Sequence, residues 1–395
     1  MLQYLSASVV YPVSSAPLKN GVLVLEADGT VISVWSAEQA KAQGITPVFF
    51  EDGILIPGLI NTHCHLELSH LLGKIPEHTG LQDFVKQVIL NRETEEHVVL
   101  EAMYRADVEM YNNGIVAVGD ISNTLISRGV KLSSELYYHT FVETMGFDPK
   151  KAAVLMEKAK SLRAAFSPLK ATLNPHAPYS VSKELFAEIR RYSAATENLI
   201  SMHNQETVEE NLLFEQKKGA FVRLYEFLGL DISFFEASGK SSLQSVLPEL
   251  PAGKTLLVHN TFTKEVDVKF AQSLHQNLFW CLCPNANLYI EQRLPQVKML
   301  QQAGLKITLG TDSLASNKRL NILAEMKTLQ EDAAEKGAIL EFEDLLRWGT
   351  LNGAEFLGID ARFGSFEPGK KPGINLITGM DENRISATTK IKRIL

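Results

Sequence analysis

At 395 residues, with 45% apolar and 22% charged side chains, the chain can bury a large core and reads as one large α/β domain with a small appendage. A net charge of −7 leaves no basic footprint for nucleic acid or an anionic membrane, and no uncharged run is long enough to span a bilayer, so the expected partner is a small molecule. Three cysteines (Cys64, Cys281, Cys283) speak against a secreted disulfide framework, and the N-terminus lacks a basic region ahead of an apolar stretch; a cytoplasmic location is expected, with a homo-oligomer left open.

The chain begins with β texture. Val22–Leu25 and Val31–Val34 flank Asp28-Gly29, a pair suited to the positive φ of a hairpin turn. After Ile60, short runs rich in Val, Ile and Leu alternate with longer segments of helical periodicity. The spacing predicts strands over Ile54–Ile60, Ile115–Ile121, Tyr137–Thr144, Ala171–Asn174, Leu199–His203, Thr255–His259, Leu278–Cys283 and Ile307–Gly310. It predicts more than one helix within Asp83–Asn112, and single helices over Lys150–Phe166, Ser182–Thr196, Val208–Phe227, Lys264–His275, Leu294–Ala303 and Leu320–Lys336. Eight strands separated by helices favour a closed parallel (β/α)8 TIM barrel. A doubly wound open sheet is disfavoured, because neither a dinucleotide fingerprint nor a phosphate loop is present. From Gly364 the texture returns to β, with Ile374–Thr378 as its main strand. The expected fold is therefore α/β: a (β/α)8 barrel over residues 55–362, with a small β-sandwich domain built from 1–54 and 363–395.

In such a barrel the chemistry sits where strands end. His63 and His65 close the first strand at i and i+2, so both rings face one side. Other strand ends answer them in register: Asn174-Pro175-His176-Ala177-Pro178-Tyr179-Ser180, Ser201-Met202-His203-Asn204-Gln205-Glu206, Val258-His259-Asn260-Thr261 and Gly310-Thr311-Asp312-Ser313. His63, His65, His203 and Asp312 offer three imidazole nitrogens and one carboxylate to a single divalent ion, zinc first, with iron or manganese also suited. Such an ion lowers the pKa of its water to about 7. Attack on an electrophilic carbon then needs a proton shuttle, and Glu206, just beyond a ligand, is placed for it; Asp312 assists, His259 orients the nucleophile and His176 contacts substrate.

Glu67 and His70 after the first strand, Phe84, and Glu143 on the third strand are candidate substrate contacts. Asn285 and Asn287 are expected to shape the rim after the seventh strand. Cys281 and Cys283 share the spacing of a metal pair but lie inside an apolar strand and read as core, and Cys64 faces away from its flanking histidines. His78, His97, His139 and His275 join no constellation.

In this order His63-Cys64-His65, His176-Ala177-Pro178-Tyr179, His203 with Glu206, His259 and Gly310-Thr311-Asp312-Ser313 resemble the amidohydrolase superfamily over nearly the whole chain. Within it they look closest to the branch of S-adenosylhomocysteine and methylthioadenosine deaminases, guanine deaminase and triazine hydrolases. His65-Leu66-Glu67-Leu68-Ser69 together with His-Ala-Pro-Tyr-Ser is also similar to aminodeoxyfutalosine deaminases. The resemblance implies one metal on His63, His65, His203 and Asp312, with Glu206 as acid/base, His259 as the orienting histidine and His176 against substrate. Binuclear relatives carry a carboxylated lysine at the end of strand four; Thr172-Leu173-Asn174-Pro175-His176 has none, which favours a single ion. The family's Ala-Asp pair near the C-terminus is replaced by Lys371-Pro372-Gly373-Ile374-Asn375, a departure confined to the small domain. The implied activity is hydrolytic deamination of an aminated heterocycle, an adenine-type nucleoside derivative, by metal-bound hydroxide with release of ammonia. The alternatives are hydrolysis of a cyclic amide, an imidazolone or a chlorinated triazine, and a non-catalytic binding protein on the same barrel.

Overall fold

Strands buried on both faces read as unbroken runs of Val, Ile and Leu, and such runs form the barrel wall. In the computed structural model, which describes residues 1–395 apart from the side chain of Glu51, the eight strands are Leu59–Cys64, Ile115–Ser122, Tyr137–Thr144, Lys170–Pro175, Ile200–Asn204, Thr255–His259, Leu278–Leu282 and Lys306–Leu309. All neighbours are parallel, and the ladders make two four-stranded halves, first to fourth and fifth to eighth.

Buried asparagine side chains take over where the backbone ladder stops. Between the eighth and first strands, Asn61 accepts from Thr311 N at 3.1 Å and donates to Thr311 Oγ1 at 2.7 Å. There the amides of Thr311 and Asp312 both donate to His63 O at 3.1 Å. Between the fourth and fifth strands, Asn174 Oδ1 accepts from Ser201 N at 2.6 Å and His176 O from His203 N at 2.9 Å. Both seams thus run directly beneath candidate metal ligands.

Alternate strand residues divide between two cores. Leu59, Val118, Val142, Leu257 and Trp280 pack outward with Met103, Met110 and Leu185 of the helices. Ile60, Phe141, Leu256, Val258, Phe279 and Cys281 fill the other face with Phe356 and Phe363. Cys64, Cys281 and Cys283 are free and buried, as expected of core thiols.

The strand expected over Ile54–Ile60 is in fact two. Val48–Pro57 belongs to the small domain, pairing with Gln3–Val10 on one edge and Ile374–Thr378 on the other, and the barrel begins only at Leu59. Gly58 makes the crossing because a Cβ there would stand 2.2 Å from Val116 Cγ1 and 2.6 Å from Pro372 O. The β-sandwich region expected from both chain ends takes the form of one mixed seven-stranded sheet, in the order Lys390–Arg393, Ile374–Thr378, Val48–Pro57, Gln3–Val10, Val22–Leu25, Val31–Trp35, with Leu18–Lys19 also on Gln3–Val10. Its own core holds Leu5, Ala7, Leu23, Leu55 and Phe366. Asn375 donates to Gly114 O at 2.8 Å and ties this sheet to the approach to the second barrel strand.

The helix expected over Val208–Phe227 breaks into Val208–Gln216 and Ala220–Phe227, because Lys217 and Gly219 take positive φ. Asp83–Asn112 resolves into two helices, Leu81–Asn91 and Glu96–Asn112. No helix among the described residues is long and apolar enough to cross a membrane.

His139, near the start of the third strand, is buried against Thr172 Oγ1, 3.0 Å from its Nε2, and against the ring of Phe141. Burial, with Lys131 and Lys170 nearby, pushes its pKa down to about 3. The unfolded chain binds this proton near pH 6.5 while the folded chain does not, so the contribution is full above about 6.5 and is lost as pH falls toward 3. His139→Gln is expected to flatten the pH dependence of urea unfolding between pH 7.5 and 5 by about one proton. An unchanged slope would contradict this assignment.

Candidate active site

The strand ends bring the expected ligands together. His63 Nε2 and His65 Nε2 lie 3.1 Å apart, and His65 Nε2 and His203 Nε2 3.3 Å apart. Asp312 Oδ1 stands 3.6 Å from His63 Nε2 and 3.5 Å from His65 Nε2. His203 Nδ1 donates to His176 O at 2.8 Å, which fixes its tautomer and turns the Nε2 lone pair to the centre. Burial, then the neighbouring imidazoles, holds His203 well below its usual pKa, and burial likewise lowers His65. Burial opposes charging of His63 too, but the Asp312 carboxylate beside it prevails and raises it. Burial also opposes ionisation of Asp312, yet His63, His65 and His259 hold its carboxyl below the usual range. Neutral imidazole lone pairs facing one another at hydrogen-bond distance repel, and a cation among them removes that conflict. This donor set therefore fits a divalent ion.

Local backbone serves this convergence. Asp312 and His259 take φ of 56° and 74°, left-handed conformations that are strained for non-glycine residues. Gly310 has no room for a side chain, since a Cβ would meet His63 Cβ and Cys281 Sγ, each at 2.8 Å. The buried sulfurs of Cys281 and Cys283 are thus part of the packing beside His63. Glu143, His176 and His203 also cluster, but His203 Nδ1 is committed to a carbonyl, so this cluster supplies no second complete donor set.

Glu206 and His259 face the same centre, with Glu206 Oε1 3.7 Å from His259 Nε2. His259 Nδ1 donates to Asn287 Oδ1 at 2.8 Å, leaving a buried Nε2 with no hydrogen-bond partner. Burial pushes His259 down to about 4. Burial, reinforced by Asp312, Glu291 and Glu210, raises Glu206 well above the ordinary carboxylate range and so favours its protonated form. Its placement depends on Gln205, a buried residue at φ 47° whose amide donates to Glu210 at 2.9 Å and whose side chain bonds Asn211, Asp267 and Thr263.

Sequence reading put Asn287 on the rim; it is instead the partner that sets the His259 tautomer. Its position, six residues after the core residue Cys281, carried no signal without the contact itself. Asn287→Leu is expected to lower kcat about 10–100-fold with little change in metal content, as found for residues that orient active-site histidines. Steady-state kinetics with an unchanged kcat would refute that role.

A cavity of about 180 Å³ opens from this centre. Leu68, Leu81, Phe84, Val85, Val88 and Met145 line it on the apolar side, and His176, Glu143, Asn123 and Arg92 on the polar side. Phe84, named above as a candidate, lines the cavity from the helix Leu81–Asn91. His176 Nδ1 is 2.6 Å from Ser180 Oγ. Glu143 accepts from Asn123 Nδ2 at 2.9 Å and stands 3.7 Å from His203 Nδ1. Glu67, expected against substrate, turns elsewhere: its buried carboxylate accepts from Asn123 N, Thr124 N and Thr124 Oγ1 at 3.2, 3.1 and 3.0 Å and so shapes the loop after the second strand. His70 is buried and is not among the cavity-lining residues.

A barrel carrying three converging imidazoles, an aspartate and a buried acid at its strand ends defines a class of metal hydrolases, and the family model described as "Amidohydrolase family" matches residues 54–393. The chain belongs to that family. Adenosine deaminase of Helicobacter pylori is 27% identical over 369 residues, covering 89% of this chain and 87% of that protein. The crystal structure of Helicobacter pylori aminofutalosine deaminase in complex with methylthio-coformycin superposes with a TM-score of 0.80 at 23% identity, covering all of both chains (100% and 100%). Atrazine chlorohydrolase from Arthrobacter aurescens, complexed with zinc, gives a TM-score of 0.76 at 16% identity over 98% of this chain and 91% of that one.

Proposed function

We propose that this protein is a metal-dependent deaminase that hydrolyses the exocyclic amino group of an adenine-type nucleoside derivative and releases ammonia. The observation that carries this reading is Glu206, a buried carboxyl that faces His259 beside the ligand set at the inner end of a largely apolar cavity, where burial favours its protonated form. A group of that kind donates a proton to a ring nitrogen, which an apolar pocket alone cannot do.

In the proposed mechanism His63, His65, His203 and Asp312 hold one divalent ion, zinc by its donor chemistry, and when bound that ion supplies an activated water. Glu206 protonates the ring nitrogen next to the carbon under attack, recovers a proton from the water and passes it to the departing amine. His259 presents its Nε2 lone pair to the attacking water and orients it, while Asp312 accepts a hydrogen bond at the same centre. His176 and Glu143 face the sugar hydroxyls, and Leu68, Phe84 and Val88 flank the ring. The names of the relatives support this substrate class and put aminofutalosine-type nucleosides first among those to test.

The test is an ammonia-release screen over adenine, guanine, cytosine and pterin derivatives, with 6-amino-6-deoxyfutalosine and atrazine included and metal analysis of the same sample. Ammonia from adenine nucleosides is the expected result. Ring opening or chloride release without ammonia would overturn it in favour of another amidohydrolase reaction, and a metal-free inert protein in favour of a binding role.

A further inference from the structure

The barrel buries one full charge pair outside the ligand set. Lys131, on the helix Arg128–Ser133, and Asp120, on the second barrel strand, both have side chains with 0% exposure, and Lys131 Nζ lies 2.6 Å from Asp120 Oδ2. The ammonium also donates to Ser122 Oγ at 2.9 Å and Thr140 Oγ1 at 3.0 Å, so all three of its protons are placed. Replacing a buried charge pair by apolar residues of similar volume often costs no stability, because taking charges out of water is expensive. Its presence calls for a use beyond stability.

That use is visible at the other carboxylate oxygen. Asp120 Oδ1 accepts from Leu66 N at 2.7 Å, the amide immediately after His65. His65 precedes the short 3-10 helix Leu66–Leu71 and caps it with no side-chain hydrogen bond of its own. The ladder between the first and second strands is irregular between Asn61 and Cys64, so the ordinary backbone pairing is interrupted just ahead of His65. An ionised acceptor binds an amide more tightly than a neutral one.

We infer that Asp120, held in place by Lys131, is a positioning residue for His65: it anchors the turn that directs this ring into the ligand set. The inference rests on the metal-centre reading proposed above, and it concerns a residue that touches neither metal nor substrate.

Two full-length double variants test it. D120N/K131M removes both charges but keeps an oxygen for Leu66 N, whereas D120A/K131M removes the oxygen as well. Apparent zinc affinity is measured by competition with a chromophoric chelator, alongside thermal unfolding of the metal-stripped proteins. The expected result is zinc binding about 10–100-fold weaker in D120A/K131M than in D120N/K131M at similar unfolding temperatures. Equal affinities in the two variants would overturn the positioning role. Absence of zinc binding by wild type and D120N/K131M alike would instead overturn the metal-centre reading. Should D120A/K131M fail to fold, hydrogen exchange on metal-stripped wild type decides: a protected Leu66 amide supports the anchor, and a freely exchanging one refutes it.

Discussion

A Glu206→Gln variant is expected to keep its metal and to lose a factor of about 10²–10⁴ in ammonia release, the usual range for removing a general acid/base. Gln keeps the shape of the side chain and can still accept or donate hydrogen bonds, but it cannot carry a proton from water to the ring and on to the amine. Glu206 is separate from the four converging donors, so metal content measured on the same sample should match wild type. Its environment makes the prediction sharp. Burial and the carboxylates of Asp312, Glu291 and Glu210 all raise the pKa of Glu206 and so favour the form that can donate a proton. Near-normal turnover in this variant would remove Glu206 from the mechanism, and loss of metal would make it a ligand instead.

Asp312→Asn should have an effect of the same order or larger, about 10³-fold or more in kcat, and should make the metal easier to remove with a chelator. The substitution retains size and cancels the negative charge that stands 3.6 Å from His63 Nε2 and 3.5 Å from His65 Nε2. That carboxylate stays ionised although burial works against it. Its Oδ2 accepts from Ser316 Oγ, so the charge is oriented as well as present. Paired measurements of zinc retention and turnover separate the two roles. Wild-type zinc affinity with lost turnover would make Asp312 a catalytic group only, and wild-type values for both would remove it from the site.

The residues that carried most information in the sequence were those whose role depends on strand ends. His63, His65, His203, His259 and Asp312 each follow an apolar run, and a parallel barrel brings such ends to one face whatever the intervening helices do. Asn287 and Asp120 were not legible in the same way. Each acts through one contact to a residue distant in the chain, and neither stands in a pattern that periodicity can reveal. Glu67 misled because a carboxylate shortly after a ligand pair has two uses, and the loop amides of Asn123 and Thr124 had the stronger claim on it. The merged strand at Ile54–Ile60 has a similar origin. A strand of the small sheet and a strand of the barrel are both apolar, and Pro57-Gly58 was the only mark of the join.

That join has a consequence for the order in which the chain can be assembled. Val48–Pro57 has one edge covered by Gln3–Val10, close by in sequence, but its other edge waits for Ile374–Thr378, about three hundred residues downstream. Until that segment arrives, a strand containing Ile54, Leu55 and Ile56 presents unpaired amides and carbonyls, the kind of edge on which nascent chains associate. Pairing over such a separation is slow, because loop closure costs entropy before any contact repays it. Completion of the small sheet is therefore a late folding event, and the enclosed barrel has the opportunity to form before its two flanking ends are locked together.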